Sequence, residues 1–432
     1  MELFGLKSGN KRKAFILWSL IVLILAGVSS LSVWKKHQTL FPKIDENLTV
    51  TDGLGVSIHL GVTEKDIQLI ADSGVKWARI DILWSQVETN KGEYDFKNTG
   101  YDELNGLLNK YHIRPYYILD YSNQLYEQKK SIVTEQGRDA FGKYVKVTVE
   151  RYKDQGAIWE IWNEPNHPRL WDPQPNYEDY ALLVKEVSPI IRKYDRSGTI
   201  VAPALASINE DALDWLQKVL EQGILNYIDV ISVHPYQSNN PENVMKEYDE
   251  LKKLIGRYTD KDIPIVSGEW GYSMAHTPVQ KPITEMQHAE YLTRSFLINA
   301  KEGIPISIWY DWKNDGTDIN NREHNFGIVS YYSNPKIAYL SLQTLTKQLE
   351  GYRFSKELSL FSNPNDYVLE FVNEDNKKII VFWTSESSHN IEFSLKTGEG
   401  QIISMLGAVQ HAEWKDKINV NSSSSPSYLV IK

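Results

Sequence analysis

The chain has 432 residues, a formal charge of −9 and no cysteine. That length suits one large domain with a smaller companion. The negative charge is spread along the sequence, which argues against a nucleic-acid partner. The missing thiols exclude disulfides, thiolate metal sites and a cysteine nucleophile.

Ala14 through Trp34 is uncharged and apolar, long enough to cross a bilayer as a helix. Lys7, Lys11, Arg12 and Lys13 precede it and would hold that end in the cytoplasm, so the remainder faces outward. Two readings fit the segment. A retained anchor is favoured by its length and by Lys35-Lys36 at its close; a cleaved signal peptide would use the small residues Val28-Ser29-Ser30. Residues 35–49 then form a polar linker.

From residue 50 to residue 349, short apolar runs alternate with helical periods. Strands are expected at Val56–Leu60, Trp77–Ile82, Pro115–Leu119, Ile158–Trp162, Ile200–Leu205, Ile228–Val233, Ile263–Ser267 and Pro305–Tyr310. Helices are expected at Glu64–Ser73, Asp102–Tyr111, Asp139–Tyr152, Tyr177–Tyr194, Asp211–Leu220, Val244–Tyr258, Glu285–Lys301 and Pro335–Gln348. Thr63 with Asp66, and Thr284 before Glu285, read as helix caps. Eight such repeats predict an α/β fold, a (β/α)8 TIM barrel, and no glycine-rich dinucleotide fingerprint follows the first strand. After Glu350 the pattern turns to short strand-like runs between Asn, Asp, Gly and Ser turns, which predicts an antiparallel β-sandwich over residues 350–432.

Two strands end in the same chemistry. Trp159-Glu160-Ile161-Trp162-Asn163-Glu164-Pro165-Asn166 is an apolar strand stopped by an amide, a carboxylate and a proline. Ile263-Pro264-Ile265-Val266-Ser267-Gly268-Glu269-Trp270 ends in a second glutamate. By strand count Glu164 closes the fourth strand and Glu269 the seventh, across the barrel from each other. Paired carboxylates at a barrel mouth suit glycosidic-bond cleavage, and a lone strand-end glutamate is more often a salt-bridged rim residue. The 13 Trp and 25 Tyr supply both core and flat surfaces for sugar rings.

These two segments resemble clan A retaining glycoside hydrolases, with Trp-Glu-Ile-Trp-Asn-Glu-Pro-Asn most similar to family 39, including Psl-type exopolysaccharide hydrolases. The resemblance implies Glu164 as acid/base, Glu269 as nucleophile and Asn163 as a ligand for the sugar 2-hydroxyl. It also implies Arg79 beside the nucleophile, Tyr236 as a donor to Glu269, His234 near the acid/base and Trp309 as the floor of the sugar subsite. Tyr310, Asp311 and Trp312 would form its wall, and Asp311 binds a sugar hydroxyl or caps its loop. Trp84, Trp171 and Trp270 are either stacking platforms or core. Leu119-Asp120-Tyr121 departs from the relatives' histidine or asparagine at the end of strand three. The polar loop Lys313–His324 lacks EF-hand spacing and reads as a substrate-contacting loop. No metal and no cofactor are required. The implied partner is a polysaccharide or oligosaccharide substrate, with the membrane held through the N-terminal segment. The rival readings are exo-action, transglycosylation, and an inactive, tethered polysaccharide-binding subunit.

Overall fold

The computed structural model describes residues 44, 48–277, 282–358 and 363–432. The segment 14–34 lies outside the described residues; among those described, no helix is long and apolar enough to cross a membrane.

Eight parallel strands close into a barrel in sequence order. They are β1 (Leu54–Ser57), β2 (Trp77–Leu83), β3 (Arg114–Asp120), β4 (Ile158–Ile161), β5 (Thr199–Leu205), β6 (Val230–Val233), β7 (Ile265–Trp270) and β8 (Ser307–Trp309). β8 returns to β1 with Val56 opposite Trp309. Each strand is followed by a principal helix: α1 (Glu64–Asp72), α2 (Tyr101–Lys110), α3 (Glu135–Tyr152), α4 (Tyr177–Tyr194), α5 (Glu210–Glu221), α6 (Val244–Ile255), α7 (Glu285–Lys301) and α8 (Ile337–Gln348). Thr63 makes the expected capping box with Asp66, and Thr284 makes one with Gln287. The start of α3 comes four residues earlier than expected, at Glu135 instead of Asp139, because Thr134 accepts from Gly137 N and caps that turn.

Strand alternation sorts the core into two layers. Trp77, Tyr116, Ile158, Val201, Val230, Val266, Ile306 and Ile308 fill the barrel interior. Their neighbours, such as Ala78, Tyr117, Trp159 and Ile231, face the helices. Positions two residues further along an inward row therefore reach the open end.

The C-terminal region is antiparallel throughout. β9 (Arg353–Glu357), β10 (Asp366–Val372), β11 (Lys378–Thr384), β13 (Gly398–Ser404), β14 (Val409–Trp414) and β16 (Ser427–Ile431) make a six-stranded sheet. A ribbon of β12 (His389–Ser394) and β15 (Lys417–Ser422) covers one face, burying Phe382, Phe393, Trp414 and Leu429 between the two layers. Leu369, Phe371, Val381 and Trp383, from the opposite face, join the barrel's helix-side core.

A buried polar knot fastens that face to the barrel. Arg294 of α7 donates to both oxygens of Glu242 at 2.7 and 2.5 Å, and Trp383 Nε1 donates to Glu242 Oε1 at 2.7 Å. Arg294 and Glu242 are 1% and 5% exposed, and among the described residues Glu242 is the carboxylate that forms an ion pair with the guanidinium. Glu242→Ala is expected to cost about 3–5 kcal/mol, because it strands a buried charge. Thermal unfolding of the variant checks this. Glu392→Ala, which removes an exposed partner of Lys417, should leave the transition where it is.

Candidate active site

Arg79 lies on β2, two residues beyond the inward Trp77, and is 3% exposed. Nε and Nη2 donate to Glu160 Oε1 at 3.2 and 2.6 Å, and Nη1 donates to Glu269 Oε2 at 2.8 Å. Nη2 also donates to Asn163 Oδ1 at 2.8 Å and lies 3.3 Å from His234 Nε2. Burial works against the guanidinium's charge, but Glu160 and Glu269 outweigh it and raise the pKa well above its ordinary value. One cation therefore organises four side chains from three strand ends.

The β4 terminus presents Asn163, and Glu164 beside it, by abandoning strand geometry. Trp162 and Glu164 take positive φ values of 70° and 50°, left-handed conformations that cost non-glycine residues of order 1–3 kcal/mol each. A regular strand would send consecutive side chains to opposite faces. Here Asn163 reaches Arg79 while Glu164 Oε1 lies 2.9 Å from His234 Nδ1. Arg79 can only donate, so Asn163 presents its oxygen there and its amide donates to Tyr121 Oη at 2.9 Å. The other ring nitrogen, His234 Nδ1, is the atom that faces Glu164.

β7 achieves a similar result with an extra residue. Ser267 pairs with Ser307 and Trp270 with Trp309, so β7 spends three steps where β8 spends two. Val266 faces inward and Trp270 faces the helices, and the bulge turns both Gly268 and Glu269 toward the interior. Glycine suits position 268, since a Cβ would come within 2.1 Å of Ser232 Oγ and force that hydroxyl to move. Tyr236, beyond β6, donates to Glu269 Oε1 at 2.7 Å. Burial pushes the Glu269 carboxyl up. His234, the Arg79 charge and the bonds from Tyr236 and Arg79 outweigh burial and hold it below the usual range. A carboxylate oxygen of Glu164 lies within 4.8 Å of one of Glu269, with His234 beside both.

Six of the sequence-predicted residues thus converge: Arg79, Asn163, Glu164, His234, Tyr236 and Glu269. Trp309 does not. Ile306 and Ile308 take the inward row of β8, so Trp309 points outward, against His288 and Phe296 of α7, with no exposure. Trp312 is equally buried and packs edge-on to Tyr339 of α8, its indole 3.4 Å from Asp66 Oδ1. Neither is a subsite floor or wall. Trp84, Trp171 and Trp270 are 0–2% exposed and are core. The aromatic after β8 that remains partly open is Tyr310, set edge-on to His59 and to Phe326. Asp311 is 1% exposed and stands apart from the glutamate pair, beside His59 and Asp315.

Two residues, Glu160 of the Arg79 network and His59 of the Asp311 group, had no role in the sequence reading. Glu160, fully buried, takes Arg79 on Oε1 and Tyr116 Oη on Oε2 at 2.6 Å. The signal was present: a charge inside an apolar strand, two residues after the inward Ile158. His59 was hidden by placing the end of the first strand at Leu60, whereas β1 stops at Ser57 and leaves His59 at the mouth.

Comparison with known proteins bears on this geometry. The sequence model of the family Cellulase (glycosyl hydrolase family 5) matches residues 45–316. A 6-phospho-beta-glucosidase of Clostridium longisporum is 31% identical over 110 residues, 24% of this chain and 23% of that protein. A beta-xylosidase of Geobacillus stearothermophilus is 21% identical over 223 residues, 46% of this chain and 43% of that protein. The chain therefore spans less than half the length of either curated relative. A family 39 glycoside hydrolase from Bacteroides cellulosilyticus WH2 shares the fold with a TM-score of 0.76 at 24% identity, covering 91% of this chain and 83% of that one. The family 39 likeness is thus one of fold, and the clan A resemblance read from the two glutamate strands agrees with the family match. By that match over residues 45–316, the chain belongs to the cellulase family, glycosyl hydrolase family 5.

Proposed function

We propose that the chain is a retaining β-glycosidase that cleaves O-glycosidic bonds of an extracellular or cell-envelope polysaccharide by double displacement. The separation of the glutamates carries the reading. Carboxylate oxygens within 4.8 Å of each other suit a nucleophile working with an acid/base. An inverting pair stands about 6.5–9.5 Å apart to admit a water.

The residues divide the work by their contacts. Glu269 is kept ionised and aimed by Arg79 and Tyr236, as a nucleophile must be before it attacks the anomeric carbon. Glu164 donates a proton to the departing oxygen; with Oε1 facing His234 Nδ1, Oε2 is free to carry it. The Glu164 carboxylate then draws a proton from water, which attacks the glycosyl-enzyme and restores Glu269. Asn163, fixed by Arg79 and Tyr121, is placed beside the anomeric centre to meet the sugar 2-hydroxyl. Residues 14–34 are proposed as the membrane anchor that holds the barrel outside the cytoplasm, and protease accessibility of the barrel in intact cells is the check.

Three outcomes test the chemistry. On an active β-glycoside, NMR should show the first-formed product with retained configuration; inversion would overturn the mechanism. Glu164→Gln should lower kcat by about 10²- to 10⁴-fold on glycosides with poor leaving groups, and much less on dinitrophenyl glycosides. Glu269→Gln should abolish turnover on both.

Tyr236→Phe tests the electrostatics. A carboxyl held low in the enzyme supports activity above its pKa and loses it as pH falls through that value. Removing one charge-assisted donor should move the acid limb of kcat/KM upward by about one pH unit.

A further inference from the structure

Beyond Tyr310, the chain between β8 and α8 turns two more aromatic rings outward. Tyr331 is 45% and Tyr332 70% exposed, their centroids 5.2 Å apart and their planes at 78°. Single exposed rings need no explanation, but an adjacent pair on a fixed turn does. This turn is fixed. Ser330 N donates to Asn334 O and Ser333 N to Ser330 O, both at 2.9 Å. Ser330 Oγ accepts from Tyr332 N at 3.3 Å and from Asn334 N at 3.2 Å. Ser333 closes the turn with a left-handed φ of 60° and is 7% exposed. At the stem, Val329 is bridged to Lys313 on one side and to Pro335 on the other. The backbone therefore holds both rings in water.

The surroundings of the pair point to a sugar. Among the described residues neither hydroxyl has a hydrogen-bond partner, whereas those of Tyr121, Tyr126 and Tyr236 are all engaged. A fixed ring offers its face to the C–H face of a pyranose, and a free hydroxyl meets the sugar's own. Charge does not supply the attraction. Tyr331 borders a cavity of about 320 Å³ between Ile58–Val62 and Asp311–Asp315, in which cations and anions are matched. His59 lies 3.7 Å from both Asp311 and Asp315, and Lys313 Nζ lies 3.5 Å from Asp66. Paired charges beside bare rings suit an uncharged ligand. The flanking Ser330, Ser333 and Asn334 are polar, so the apolar area stops at two rings, short of the core of a protein interface.

The turn follows β8, so it stands at the end of the barrel where the strands present Glu164 and Glu269. Its rings meet each other and take no part in the Arg79 network. Resting on the glycosidase reading above, we propose that Tyr331 and Tyr332 form a secondary saccharide-binding platform on the barrel rim, which stacks a pyranose of an uncharged β-linked polysaccharide outside the glutamate pair. A polymer can occupy the platform and the glutamates together and is retained between cleavages by the first contact. A short glycoside gains nothing from it.

The experiment uses the full chain in mild detergent. Binding is measured by affinity electrophoresis in the Glu269→Gln background against soluble xylan, mixed-linkage β-glucan and mannan. With the active chain, kcat/KM is measured on the polymer bound best and on a nitrophenyl β-glycoside. Tyr331→Ala and Tyr332→Ala should each weaken polymer binding by about 5- to 10-fold, and the double variant by about 10- to 100-fold. On the polymer kcat/KM should fall in step, while on the nitrophenyl glycoside it stays within about twofold. Tyr332→Trp keeps a ring and should keep binding. Tyr227→Ala, at an exposed tyrosine ahead of β6, should change neither readout. The platform is overturned if no polymer binds, or if the double variant binds as well as its parent. Equal losses on polymer and nitrophenyl glycoside also overturn it, since they place the rings in the reacting centre. So does altered self-association of the double variant in sedimentation with glycan affinity unchanged. If the wild type turns over no glycoside while the tyrosine variants still lose polymer binding, the glycosidase reading fails alone and the platform stands.

Discussion

The site depends on Arg79 being charged and enclosed at the same time. An unpaired guanidinium in a barrel interior is prohibitive, and two carboxylates converging there without a cation are no better. Glu160 and Glu269 solve both problems, but unequally. Glu160 is fully buried and accepts from Arg79 and Tyr116, so it is committed to structure. Glu269 shares the same cation while keeping 13% of its side chain exposed. The buried member stabilises the charge, and the exposed member is left with reactivity at the mouth.

That arrangement requires consecutive residues to face one way, which a regular strand forbids. β4 and β7 break the rule differently. β4 uses left-handed backbone at Trp162 and Glu164; β7 uses a bulge with Gly268 packed against Ser232. Both are local departures held by a global constraint, since the barrel closes on either side and the strand ends cannot relax. The site is accordingly strained in backbone and preorganised in electrostatics, the combination that spares reorganisation when charge moves.

The legibility of the sequence followed the same division. Periodicity was enough for eight strands, eight helices and their order, because each segment's apolar spacing answers to one core. The two glutamates were legible because proline and tryptophan mark where the strands stop. The assignments of Trp309 and Trp312 failed for want of register: whether Trp309 faces sugar or helix is decided by which of Ile308 and Trp309 takes the inward row, and Ile-Trp reads equally well both ways. In the C-terminal sheet β14 carries a weak strand signal, because Gln410, His411 and Glu413 leave few apolar positions to alternate. Glu160 was passed over beside its more conspicuous neighbour, although its inward parity was available from Ile158.

The same register links the accessory sheet to the chemistry. Trp383 of β11 and Arg294 of α7 meet on Glu242, so the sheet fixes α7 from outside. α7 in turn packs His288 and Phe296 against Trp309, the last residue of β8. Burial drives the His288 pKa down to about 3, so its ring is neutral, and Nε2 lies 3.1 Å from Phe326 O. Phe326 is the wall shared by Tyr236 and Tyr310. An outward-facing Trp309 is therefore no loss to the site. It makes β8 the joint through which sheet and helix set the position of Tyr310 and Asp311, while Arg79 sets the position of the glutamates from within.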